Sequence, residues 1–205
     1  MAKIKLNIGC GVLLRAGFIN IDIIKEQDLR EGFKTKKGDW KNTFIEKGAK
    51  YVEADVRKLP FKNNFADYVE MRNIIEHLPF REIVDTLKEV RRVMKKKAEL
   101  VISTDDFDGI AADWLTMRVG TFDLDRYVRV METVYGNQMH EGEFHKVAMT
   151  SDFLSWCLVS AGFKKGQLTK YPKNAPIPKE FIHGVSKKEK NLVFRNDMIV
   201  ARIIK

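Results

Sequence analysis

Two glycines one residue apart close an apolar run near the start of the chain, in Leu6-Asn7-Ile8-Gly9-Cys10-Gly11. A strand that turns sharply beneath a ligand needs residues without a Cβ, which reach positive φ and let the main chain approach closely. Gly-x-Gly also occurs in ordinary turns, so the spacing of the acids downstream carries the weight. Asp22 lies eleven residues after Gly11, near the end of a second apolar segment. An acid closing a second strand can accept hydrogen bonds from both hydroxyls of a ribose. In dinucleotide-binding folds that acid arrives about twenty residues on, after a full helix. The shorter link here disfavours a pyrophosphate on a helix N-terminus, and a nicotinamide dehydrogenase with it. A ribose-bearing ligand without pyrophosphate fits better. Asp55-Val56 follows a third segment: the carboxylate can accept from an adenine amino group while the next backbone N–H reaches a ring nitrogen. A turn or helix cap before Leu59-Pro60-Phe61 is the alternative for Asp55. Taken with Gly9, Gly11 and Asp22 at the ends of successive strands, the ligand reading is favoured, because ligands of such sheets lie off the carboxyl edge.

The elements that must position these groups follow from periodicity. Strands are expected over 3–8, 18–24, 50–54, 66–71 and 99–103. Ile83, Val84, Leu87, Val90, Val93 and Met94 recur at helical spacing within 80–97. Further helices are expected over 109–119 and 124–135, and over 152–161, with Thr150 or Ser151 as cap and Gly162 as stop. Two last strands are read over 163–171 and 198–204. Residues 25–50 are charged and loosely patterned, with a helix-like stretch at 43–47. Strands separated by helices argue for an α/β fold, a mostly parallel sheet with helices on its faces. The expected organisation is one domain over 1–205, with a polar segment inserted at 25–50 and a helical lid and acceptor region at 105–148.

Composition narrows the setting. With 205 residues, 44% hydrophobic and 32% charged, the chain reads as a soluble globular protein. No run of eighteen apolar residues and no signal-peptide core is present, so neither a membrane span nor export is expected. Cys10 and Cys157 are the two cysteines; no disulfide framework and no zinc spacing is read, and a reducing cytoplasm is the expected location. No metal is expected. The 37 Lys/Arg and 28 Asp/Glu leave a net charge of +9. From Lys164 onward eleven Lys/Arg face Glu180, Glu189 and Asp197, a basic strip suited to phosphates or nucleic acid, or else a solvated lysine-rich surface.

The ordered motifs resemble the class I S-adenosylmethionine (SAM)-dependent methyltransferases, and within them the small type 11-like proteins. Their Leu-Asn-hydrophobic-Gly-Cys-Gly opening matches Leu6–Gly11, and their Gly-aromatic-hydrophobic-Asn-hydrophobic-Asp matches Gly17-Phe18-Ile19-Asn20-Ile21-Asp22. Asp55 with Leu59-Pro60-Phe61, Glu76-His77-Leu78-Pro79, and Arg92-Val93-Met94-Lys95 match further signposts. Tyr135-Gly136-Asn137-Gln138, Phe144-His145-Lys146, Thr150 and Ala161-Gly162-Phe163 resemble one subgroup, so the likeness spans about 4–165. The family's usual Pro-Gly-Gly is Lys96-Lys97-Ala98 here, and 25–50 is longer than its usual link. The resemblance implies a Rossmann-like three-layer sandwich, a mostly parallel seven-stranded sheet with an antiparallel last strand. It implies SAM as cofactor and S-adenosylhomocysteine (SAH) as product, held by Asn7, Gly9, Cys10, Gly11, Asp22, Asp55, Val56, Arg72 and Asn73. Arg72 would pair with the cofactor's carboxylate, or else form a surface salt bridge.

Methyl transfer from a sulfonium is chiefly a matter of alignment, and a base is needed only if the acceptor loses a proton. In this family the segment after the fifth strand borders the acceptor. His145 is the first candidate base and His140 the second, with a structural hydrogen-bonding role as the alternative for each. His77 reads as part of a helix-capping turn. Trp114, Phe122, Tyr127 and Met131 read as lid packing. No Asn/Asp-Pro-Pro-Tyr or Pro-Cys motif follows the fourth strand, which disfavours amino-methylation of bases and carbon-5 cytosine chemistry. The expected activity is O- or N-methylation of a small-molecule or glycan-like acceptor. Nucleic-acid methylation through the basic strip, and a noncatalytic SAM-binding regulator, are the rivals.

Overall fold

A computed structural model describes residues 3–31, 33–35, 38–40, 44–117, 119–138, 141–164, 166–172, 175 and 198–205. The chain runs β1 (Lys5–Ile8), β2 (Leu13–Leu14), β3 (Ile19–Asp22), α1 (Glu26–Glu31), β4 (Phe33–Thr35), β5 (Gly38–Trp40), β6 (Phe44–Ile45), β7 (Lys50–Glu53) and β8 (Ala66–Arg72). A 3₁₀ turn (Ile75–His77) leads to α2 (Ile83–Val93), β9 (Met94–Asp105), α3 (Phe107–Met117) and α4 (Leu124–Tyr135). A second 3₁₀ turn (Glu141–Glu143), α5 (Ser151–Ser160), β10 (Gln167–Tyr171) and β11 (Met198–Ile204) complete it.

Seven strands form one sheet in the order β10-β11-β9-β8-β1-β3-β7. The five from β9 to β7 are mutually parallel, while β11 runs antiparallel to both β9 and β10. The Rossmann-like sheet with its antiparallel last strand is therefore present. Leu100–Thr104 of β9 are all buried, the continuous pattern of a strand covered on both faces.

The two faces differ. Leu6, Ile8, Val69, Met71, Leu100 and Ile102 point into the main core with α2 and α5, which supply Ile83, Leu87, Val90, Leu154 and Leu158. The alternate positions carry a polar row: Asn20, Asn7 and Glu70 lie side by side across β3, β1 and β8. Glu70 is only 1% exposed and accepts Arg15 Nη1 at 2.8 Å, with Arg72 as a second cation on the same carboxylate. Asn7 Nδ2 donates to Asn20 Oδ1 at 2.9 Å, and Asn20 Nδ2 to the carbonyls of Arg15 and Lys50. Each of these three buried polar side chains thus finds partners, as burial demands.

Three expectations change. The helix expected over 80–97 ends at Val93; Met94 turns extended and begins a twelve-residue β9 in place of the strand expected at 99–103. Lys97, at φ +64°, and a register shift between Ala66 and Tyr68 absorb the irregularity. Within the stretch expected to be helical at 43–47, residues 44–47 are not: β6 pairs in parallel with β2, and β4 pairs antiparallel with β5, so short strands follow α1 in the inserted segment. By contrast α4 and β11 keep the expected bounds. Among the described residues no helix is long and apolar enough to cross a membrane.

Candidate active site

The carboxyl ends of β8, β1, β3 and β7 stand side by side and deliver Asn73, Gly9–Gly11, Asp22 and Asp55 to one edge of the sheet. Gly9 (φ +67°) and Gly11 (φ +48°) make the turn after β1, and the Gly9 and Cys10 N–H groups both donate to the Ile21 carbonyl. The two glycines serve different ends. A Cβ on Gly9 would lie 2.4 Å from Ile74 Cδ1, so Gly9 is required for the turn to pack against the segment after β8. A Cβ on Gly11 would meet nothing within 4 Å, so Gly11 presents bare main chain to open space.

Asp22 is bound into this turn. Its Oδ2 accepts the Gly11 N–H at 2.8 Å, and its Oδ1 accepts Ile23 N–H at 2.8 Å and Ile24 N–H at 3.3 Å. Those bonds fix the carboxylate against Gly11, with one donor on Oδ2 and two on Oδ1. Asp55 is forked by Arg57, whose Nε and Nη2 reach both oxygens, with Arg57 also paired to Glu82 at 2.9 Å. The Arg57 guanidinium holds the Asp55 carboxyl below its ordinary value, so it is ionised and an acceptor. Val56 beside it is buried.

Other candidates are placed differently. Asn7 turns its amide into the sheet, onto Asn20 and the Leu13 carbonyl at 3.2 Å, away from the edge. Arg72 Nε pairs with the buried Glu70 carboxylate. Cys10 is buried, and desolvation with nearby Asp22 raises its thiol far above the ordinary range, so it is no nucleophile. Asn73 adopts φ +46° and its N–H donates to the Ser103 carbonyl at 2.9 Å, which locks the turn after β8 to β9. His140 lies outside the described residues.

A recess opens beside that edge, between the end of β9, α4 and the segment before α5. Glu76, Thr104, Asp105, Thr133, His145 and Met149 are among its walls. Two distant signposts meet here. The Lys146 N–H donates to the Glu76 carbonyl at 2.8 Å, His77 Nδ1 faces the Phe144 carbonyl at 3.2 Å, and the His77 and His145 rings meet edge-to-face at 4.7 Å. Gly136 is what allows this return: at φ +77° it ends α4, and a Cβ there would lie 1.6 Å from the Glu143 carbonyl oxygen. The His145 N–H then donates to the Tyr135 carbonyl at 3.1 Å, and its Nδ1 faces the Thr133 carbonyl at 2.7 Å. A ring nitrogen facing a carbonyl must carry the proton, so Nε2 of neutral His145 keeps its lone pair. Burial also lowers the pKa of His145 from its ordinary value, which favours that neutral form. Glu76 is 2% exposed. Thr104 Oγ1 donates to its Oε2 at 3.0 Å, but Oε1 has no hydrogen-bond partner. Desolvation, with Asp105 adding, pushes the Glu76 carboxyl up to about 8. The sequence carried Glu76 and His77 only as a signpost and a turn, since nothing in a linear pattern reveals that they adjoin His145.

On the lid, Tyr127 packs between Trp114 at 5.8 Å and Phe122 at 5.7 Å, joining α3 to α4. In the basic strip Lys170 pairs with Asp106 and Asp108, and Arg202 with Glu99. Residues 176–197 of that strip lie outside the described residues.

Residues 6–102 match the family described as "Methyltransferase domain". Among curated proteins none matches the chain. Solved structures with the same fold include a SAM-dependent methyltransferase from Archaeoglobus fulgidus, 15% identical, covering 100% of this chain and 86% of that one, with a TM-score of 0.59. Another is a SAM-dependent methyltransferase from Thermotoga maritima, described as a possible histamine N-methyltransferase, 16% identical over 99% of this chain and 82% of that one, TM-score 0.60. A third, from Methanosarcina mazei, is 15% identical over 99% and 92%, TM-score 0.59. At such identities the structural likeness is one of fold. The family match covers residues 6–102, and over those residues the chain is similar to class I SAM-dependent methyltransferases.

Proposed function

We propose that this chain transfers the methyl group of SAM to an oxygen or nitrogen of a polar small molecule held at the carboxyl edge of the sheet, near His145. The observation that carries the reading is the row formed by the Gly9–Gly11 turn, Asp22 and Asp55 on the ends of β1, β3 and β7, adjoining a recess with titratable walls. The groups fit the cofactor: open space above Gly11 admits close main-chain approach, and Asp22 and Asp55 are acceptors held for donors of a ribose and an adenine. Bound SAM supplies an activated methyl group on its sulfonium. Arg72, paired with Glu70, and Asn73, whose side chain hydrogen-bonds Glu76, are the candidates of this set at the methionine end.

On the acceptor side, the Thr133 and Tyr135 carbonyls orient His145 so that Nε2 can take the acceptor's proton as the new bond forms. Contact between Gly9 and Ile74, two residues before Glu76, couples the glycine turn to the recess, which favours alignment of the two partners.

Incubation with methyl-labelled SAM and fractionated metabolites tests this. Label appearing on a polar small molecule is expected. Cofactor binding without label in any fraction would favour the regulator, and label confined to RNA or DNA would favour a nucleic-acid acceptor.

A further inference from the structure

We propose that Glu76, His77 and His145 form a binding site for a divalent transition-metal ion of the zinc class in the wall of the recess. One ligand-type atom from each of the three lies within 4.8 Å of the other two. Metal–nitrogen and metal–oxygen bonds near 2.0–2.1 Å place tetrahedral ligands about 3.4 Å apart. Small side-chain rotations therefore close the set. Two imidazoles with one carboxylate suit zinc and its neighbours, whereas magnesium and calcium prefer all-oxygen shells.

The surroundings are arranged as a metal site requires. Ligating histidines characteristically donate their other ring N–H to a carbonyl or carboxylate. Here His145 Nδ1 faces the Thr133 carbonyl and His77 Nδ1 the Phe144 carbonyl; a neutral ring that donates there carries its lone pair on Nε2. Glu76 supplies the second, independent observation. Its Oε2 is taken by Thr104, while Oε1 is buried without a hydrogen-bond partner, a costly state that a cation relieves. The backbone is braced on both sides, by Lys146 N–H on the Glu76 carbonyl and His145 N–H on the Tyr135 carbonyl. No local Cys/His spacing announces the site, because its ligands sit on one turn after β8 and on a segment beyond α4.

Three protein ligands leave a coordination position for water or an acceptor atom. This last point rests on the proposed function; binding of the ion does not. With an ion bound, His145 Nε2 would be a ligand and not a base, and an acceptor hydroxyl at the open position would release its proton to solvent water.

The test uses the whole chain freed of metal by chelation and titrated with ZnCl2, and separately with CoCl2 followed by visible absorption. One equivalent per chain with a micromolar or lower Kd is expected, together with the intense cobalt bands of four-coordination. His77→Ala, Glu76→Gln and His145→Ala should each weaken zinc binding at least about tenfold. Half-buried His77 is the variant least tied to folding, and circular dichroism checks each one. Zinc affinity unchanged in a folded His77→Ala variant, or wild-type binding only at millimolar zinc, overturns the proposal. SAH calorimetry on the same samples separates the two readings: zinc failing while SAH binds sinks only the metal site, and the reverse sinks only the cofactor assignment.

Discussion

Within the glycine turn, two residues of one motif answer to different forces. Gly9 is fixed by its neighbour Ile74 and Gly11 by the space in front of it. Gly9→Ala is therefore expected to cost several kcal/mol of stability, on the order of 2–4, through overpacking and positive φ together. Gly11→Ala should cost only about 1–2 kcal/mol, yet weaken SAH binding by an order of magnitude or more, because its methyl projects where the ligand must approach. Chemical denaturation and calorimetry on both variants check this; equal stability losses, or SAH affinity untouched by Gly11→Ala, would contradict it. The placement of Gly11 and Asp22 on neighbouring strand ends was legible in the sequence because a sharp turn and an acid at strand spacing leave few alternatives. The pairing of Arg72 with Glu70 was not: the two lie on the same face of β8, and a linear pattern does not reveal that the carboxylate is buried.

The motifs make sense at the level of elements as clamps. Arg92, near the end of α2, donates to the Leu59 and Phe61 carbonyls, to Asn63 Oδ1 and to both oxygens of Glu89, while Glu89 Oε1 accepts the Leu59 N–H at 2.8 Å. The helix thereby holds the loop that follows Asp55. Arg92 keeps the Glu89 carboxyl below its ordinary value of 4.5 against the opposing effect of burial. A lowered acid contributes stability above its unfolded value and loses it as pH falls through the folded one. Glu89→Gln should cost about 1 kcal/mol at neutral pH, modest because Arg92 is a third exposed, with the difference shrinking as pH falls below 4.5 and vanishing only beneath the lowered folded value. Thermal denaturation across that range measures it. At the end of α4, Gly136 positions His145 without touching the recess, so Gly136→Ala should lower turnover by at least about tenfold through misplacement of His145, with SAH affinity unchanged. A parallel loss of SAH binding would mean that the two halves of the site fold as one unit.

The helix expected over 124–135 is α4, and Asp123 Oδ1 caps its start by accepting the Arg126 N–H. Helical spacing overran α2 because Lys95–Lys97 look helical in isolation. Pairing of β9 with β8 and β11 overrides that propensity, and the pairing partner is distant in sequence. Residues 44–47 failed likewise: the strand there exists only because β2 is beside it.

For the molecule as a whole, one sheet keeps an apolar face for α2 and α5 and a polar row on its other side, sealed by Arg15 on Glu70. Arg15→Met should lower stability by about 3 kcal/mol, since Glu70 would lose one of its two cations and keep Arg72 and the Tyr68 hydroxyl, and denaturant titration would show it. That row stiffens the strands whose ends carry the ligand edge. The central claim is that those ends converge on a single nucleoside. Calorimetric titration of SAH into the wild type, Asp22→Ala and Asp55→Ala tests it most directly. Stoichiometric binding is expected in the wild type, weakened by about 1–3 kcal/mol in each variant. Binding indifferent to both substitutions, or no binding in the folded wild type, would contradict the account.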